Sequence, residues 1–162
     1  MAKVDYAEQA VADMATRYYR DGKAHIEKHD PPSKVVGRPP RIIYLENPFL
    51  DFHGTFWPDT ETVPAVARSI VFEVKSTKDK ALAFDARGLK PKQCAALHRW
   101  HVNGSLTGVL WYHDAEWRWW PWRRIHDVMQ STRKSLPWGD GYPVPQVPFP
   151  DFLPTAEQTE HI

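Results

Sequence analysis

Glu73 and Lys75 stand two residues apart in the run Ser69-Ile-Val-Phe-Glu-Val-Lys75. In a strand, side chains alternate between faces, so Ile70, Phe72 and Val74 point toward a core and Glu73 and Lys75 point together to the other side. An unpaired buried charge is expensive, so a carboxylate beside an ammonium on such a strand needs a reason. It is either a structural ion pair or a metal site with a lysine beside it. Asp51 opens a second strand-like run, Asp51-Phe-His-Gly-Thr-Phe56, with Phe52 and Phe56 on one face and Asp51 on the other. If the two runs pair, Asp51 and Glu73 converge. Two carboxylates, waters and the backbone carbonyl of Val74 form an oxygen-rich site for Mg²⁺, with Mn²⁺ as a substitute. A metal there lowers the pKa of a bound water and stabilises charge on a phosphate. Lys75 would position or deprotonate that water and offset negative charge. His53 shares the Asp51 face.

An Asp followed by a distant Glu-x-Lys on a strand resembles the core of the PD-(D/E)xK nucleases. The surroundings resemble the RecU-type Holliday junction resolvases within that superfamily. The features in common are Asp51-Phe-His-Gly-Thr-Phe, Phe72-Glu-Val-Lys-Ser-Thr-Lys78, and Leu89-Lys-Pro-Lys-Gln93 with Leu97. Tyr18-Tyr19 on the first helix and Arg133-Lys-Ser-Leu136 follow the family's order. The resemblance implies a restriction-endonuclease-like α/β fold. Asp51 and Glu73 would bind the metal, and Lys75 would be the catalytic lysine. Gln93 would project from its helix and order the site, and Glu8 would complete the metal shell. The substrate would be four-way DNA junctions, cut by a homodimer through paired symmetric nicks, with in-line attack of an activated water on phosphorus. The chain departs from the pattern in three places. Leu50 precedes Asp51 instead of proline, and Asp51 and Glu73 are 22 positions apart, with loop 57–67 between them. The region matching the family's protruding stalk, from Asp30 to Asn47, is short and proline-rich.

The supporting elements follow from periodicity. Val4, Ala7, Val11, Met14 and Tyr18 predict an amphipathic helix over 4–20, stopped at Gly22. Residues 24–29, 41–45, 51–57, 68–75, 106–112 and 116–120 are predicted strands, and 90–103 and 123–135 helices. Residues 31–41, with four prolines, predict a short basic stalk or loop. Residues 137–162, rich in Pro and Gly, predict an irregular C-terminal tail. This order suits an α/β or α+β domain with a central mixed sheet, in a single domain spanning 1–162.

Charge sharpens the picture. The chain has 21 Lys and Arg against 20 Asp and Glu, so its net balance selects no partner. Between Lys75 and Lys92, however, six bases face two acids. Basic segments within a neutral chain can form a local face for a polyanion. Lys34, Arg38, Arg41, Lys78, Lys80, Arg87, Lys90 and Lys92 are the candidate DNA contacts. His25 and His29 lie in a predicted strand, where four apart does not mean adjacent, and His98 and His101 lack a third ligand of matching type. Trp117, Trp119, Trp120 and Trp122 suit a core or a dimer interface better than base stacking. Cys94 is the only cysteine, which excludes an intrachain disulfide and a Cys-based zinc site. No stretch reaches the ~18 apolar residues of a membrane span, and no apolar signal core opens the chain. A cytoplasmic setting, bacterial or phage-encoded, is expected. The rival readings are a sequence-specific or repair-type duplex endonuclease of the same fold, and a non-catalytic module that binds branched DNA.

Overall fold

The computed structural model describes residues 5–45, 50–58 and 66–160. Val4, most of loop 57–67 and the end of the stalk region at Asn47 lie outside them. In chain order the elements are α1 (Tyr6–Arg20), β1 (Ala24–Lys28), β2 (Ser33–Val36), β3 (Arg41–Tyr44), β4 (Phe52–Phe56), β5 (Arg68–Ser76), β6 (Ala81–Ala83), α2 (Pro91–Val102), β7 (Leu106–His113), β8 (Glu116–Pro121), α3 (Trp122–Gln130), β9 (Ser135–Pro137), a 3₁₀ turn (Trp138–Asp140), β10 (Tyr142–Val144) and α4 (Phe152–Thr159). Six strands form the main sheet in the order β1-β4-β5-β7-β8-β10. β5 and β7 are parallel, joined by the crossover that carries α2, and the other neighbours are antiparallel. A central mixed sheet flanked by helices is the architecture expected from the sequence.

Alternation along β5 divides the interior. Ile70, Phe72 and Val74 join α1 and α4 in one core, and Val71 joins α2 and α3 in the other. The tryptophans follow the same rule. Trp117 and Trp119 enter the first core, Trp120 and Trp122 the second, and all four are buried. They are core residues rather than a stacking platform. Gly108 lets β7 and β8 close up, because a Cβ there would sit 2.4 Å from the Trp120 carbonyl oxygen and 2.6 Å from the Trp119 ring. Among the described residues no helix is long and apolar enough to cross a membrane.

Two expectations are corrected, and a third, the stalk or loop over 31–41, takes a definite form. The tail over 137–160 is not irregular. β10 pairs with β8, and α4 seals the first core with Phe152, Leu153 and Ala156, all buried. Of the prolines that suggested a coil, Pro143 lies in the edge strand β10, where no ladder donor is needed, and Pro154 in the first turn of α4. The basic stalk over 31–41 is ordered as part of a hairpin, with β2 and β3 paired antiparallel in a sheet of their own. The run at 41–45 therefore belongs to this hairpin and not to the main sheet. The helix expected over 123–135 stops at Gln130. The Ser131 hydroxyl donates to the Val128 carbonyl at 2.6 Å and accepts from the Arg133 amide at 3.1 Å, which turns the chain into β9.

Phe152 packs on Phe72 with ring centroids 5.0 Å apart and meets Tyr18 edge-on at 5.3 Å. Phe152→Ala should cost ~3–5 kcal/mol, read as a lower midpoint in denaturant titration. An unchanged midpoint would contradict the burial of the C-terminal helix.

Candidate active site

The site grows from the meeting of β4, β5 and the start of α2. β4 pairs with β5 so that Phe52 lies opposite Phe72. Asp51, one residue before β4, continues the ladder on the other side, its carbonyl accepting from the His29 amide at 2.7 Å. Its carboxyl turns to β5 and accepts the Val74 backbone N–H at Oδ2, 2.8 Å away. Leu50, just before it, has φ +60°, in the left-handed region, while its side chain is buried in the second core. Proline, fixed near −65°, cannot take that conformation.

Glu73 is 4% exposed on the same face. Its carboxyl lies beside that of Asp51, accepts a hydrogen bond from the Gln93 amide, and lies 3.0 Å from Lys75 Nζ. Gln93 Oε1 accepts from Lys75 Nζ at 3.1 Å and from the Lys90 amide at 3.0 Å. Gln93 therefore starts α2 and orients the lysine with one oxygen. Leu89, buried beneath that start, and Pro91 in the first turn fix where the helix begins. The side chains of Asp51, Glu73, Gln93, Lys90 and Lys92 line a cleft of about 240 Å³ that Pro31 closes on one side.

The electrostatics are those of two acids sharing too little positive charge. Burial, and then the charge of Glu73, pushes the Asp51 carboxyl up to about 8. Burial also raises Glu73, opposed by Lys75. The pair titrates as a unit and holds a proton near neutrality. Glu8 adds its field to both acids, but its carboxylate is bound by Lys28 at 2.8 Å, and Lys28 also pairs with Asp30 at 3.3 Å. Among the described residues no three His, Cys, Asp or Glu side chains gather closely enough to hold a metal. The carboxyls at hand are Asp51 and Glu73, with Glu8 held by Lys28. Two touching carboxyls short of positive charge make a donor set that fits a hard dication.

The other expected contacts divide by position. Lys90 and Lys92 face the cleft. Lys34 and Arg41 share one face of the β2–β3 hairpin, with Arg38 in its turn. Lys78 and Lys80 lie in the exposed turn after β5. Arg87 is exposed and tied to Asp85 at 3.1 Å. His53 stands beside His29, with ring centroids 5.5 Å apart. Lys28 went unread in the sequence, because its pairing with Glu8 joins a strand to a helix and leaves no periodic trace.

No family model matches the chain, and no curated protein matches it. Among solved structures, the chain is similar to Archaeoglobus fulgidus Hjc, a Holliday junction resolvase from an archaeal hyperthermophile. The identity is 15%, the match covers 83% of this chain and 93% of that one, and the TM-score is 0.49. At that level of similarity the site stands on its geometry alone.

The raised acids give a pH dependence. Between the ordinary carboxylate range and pH 8 the folded protein retains a proton that the unfolded chain releases, so stability falls as pH rises through that window. In buffer free of divalent cations, Asp51→Asn should flatten this fall and melt above wild type at pH 8. Parallel melting curves for the two proteins from pH 4 to 8 would rule out the shared proton.

Proposed function

We propose that this protein is a metal-dependent, structure-selective DNA endonuclease that resolves Holliday junctions by paired symmetric nicks. The observation that carries the proposal is the buried Asp51–Glu73 pair with Lys75 beside it, held by Gln93 at a cleft flanked by Lys90 and Lys92. A structural ion pair needs one acid, and here two compete for one lysine. The restriction-endonuclease-like reading of the fold, with Asp51 and Glu73 on adjacent strands and Gln93 on the crossover helix, agrees with the motif resemblance.

Asp51, Glu73 and the Val74 carbonyl would hold Mg²⁺ or Mn²⁺, which supplies Lewis-acid stabilisation of phosphate charge and a more acidic water. Glu8 would approach the same ion if Lys28 releases it. Lys75 would hold the attacking water in line with phosphorus and offset charge on the phosphate, and Gln93 would keep the ammonium aimed. The P–O bond to the leaving strand breaks as the new P–O bond forms. Lys90 and Lys92 would grip the phosphates beside the scissile bond, and Lys34, Arg38, Arg41, Lys78 and Lys80 those further away. Junction choice would come from shape and from two sites in a homodimer, since no base-reading module is visible among the described residues.

The test is cleavage of an end-labelled immobile four-way junction with Mg²⁺, beside a linear duplex of the same arm sequence and an EDTA control. Symmetric nicks in the junction alone are expected. Duplex cleavage would move the function to a sequence-specific or repair-type nuclease. No cleavage of either, with Mg²⁺ or Mn²⁺, would leave a binding module. Asp51→Asn and Glu73→Gln should abolish cleavage while the junction is still bound in a gel-shift assay. Lys75→Ala should slow turnover by ~10²–10⁴-fold with little change in binding, and wild-type turnover would make Lys75 structural. Sedimentation should show a dimer at micromolar concentration, and a strict monomer would remove paired nicking.

A further inference from the structure

Arg123 and Arg124 open α3 and line a separate pocket of about 390 Å³ together with Asp127, Tyr142 and Thr159. Arg124 is held over two rings, its guanidinium 5.5 Å from the centroid of Trp120 and 4.9 Å from that of Tyr142. Stacking of this kind fixes the plane of a guanidinium and leaves its N–H edge for a bidentate acceptor. Among the described residues neither arginine is in an ion pair, and Asp127 is the single acid against two bases in the pocket lining. Glu73, Val109 and Trp120 are register partners across β5, β7 and β8. The backbone of Trp120, whose ring lies under Arg124, is thus two strand spacings from that of Glu73, on the order of 10 Å, and the pocket extends from there to Tyr142 on the next strand. That separation spans a few phosphates along one strand of a nucleic acid.

We infer that the Arg123–Arg124 pocket is a second phosphate site, which takes a backbone phosphate of the DNA away from the cleft. The inference rests on the nuclease reading above and adds a contact outside the cleaving residues. Guanidinium groups match the paired oxygens of a phosphodiester, and a site whose cation is already stacked orders little on binding. Bound phosphate here would hold a DNA arm in register without touching the reacting bond.

The experiment measures binding of a four-way junction by fluorescence anisotropy in EDTA across a salt series, and cleavage at saturating DNA with Mg²⁺. The Arg123→Gln/Arg124→Gln protein should bind about 10-fold or more weakly and lower the log–log salt slope by ~1–2. Its turnover at saturation should match wild type. Arg123→Gln alone, at an exposed position, guards against misfolding and should lower the slope by ~1. Asp127→Asn should tighten binding. Equal affinity and slope in wild type and both arginine variants would overturn the second site while leaving the nuclease reading intact. A wild type that neither binds nor cuts DNA would overturn both. Calorimetric binding of inorganic phosphate, lost in the double variant but without any change in the DNA slope, would assign the pocket to a free anion and overturn the assignment to DNA.

Discussion

The contact on which the rest of this structure depends is between two carboxyls, Asp51 and Glu73, placed together inside the protein with one lysine to serve them. The charge of Glu73 raises the affinity of Asp51 for a proton, and burial raises both. Left alone, such a pair favours separation or neutralisation. Here separation is blocked from several directions. The Val74 amide binds Asp51 from the adjacent strand, and the Gln93 amide binds Glu73 from above. The rear of the same strand is locked by Phe72 between Phe52, Trp119 and Phe152. The apolar side of β5 thus holds in place what its polar side disfavours.

That division of labour explains the placement of the helices. α1 and α4 cover the face behind β5, and α1 also brings Glu8 near the two acids. α2 covers the front, but its first turn must leave the cleft open and present Gln93, Lys90 and Lys92 to it. Leu50, left-handed and buried, makes the turn by which Asp51 enters the site from β4's end. Strain at such a residue persists only where surrounding packing over-determines it.

Much of this was legible in the sequence. Period-two alternation over 69–75 separated Glu73 and Lys75 from Ile70, Phe72 and Val74, and the same logic placed Asp51 opposite Phe52. Both are properties of a single strand, so local spacing reveals them. α4 was hidden because Pro150 and Pro154 mask a short helix whose reason for existing is the distant Phe72. The β2–β3 hairpin was hidden because its pairing runs across a proline-rich turn, while its apolar residues Val35, Ile42 and Tyr44 are exposed. The hold of Lys28 on Glu8 and the stacking of Arg124 on Tyr142 join residues about 20 positions apart in the chain. Contacts of this kind are made by topology, and no periodicity announces them.

Gln93 carries one more implication. A single oxygen serves both as the cap that begins α2 and as the acceptor that aims Lys75. The first turn of the helix and the direction of the ammonium are therefore one cooperative unit. Fraying of that turn, the ordinary fate of helix ends, is here also a loss of aim at the cleft. Local breathing and chemical competence then share a single equilibrium, and whatever steadies the opening turn of α2 steadies the lysine with it.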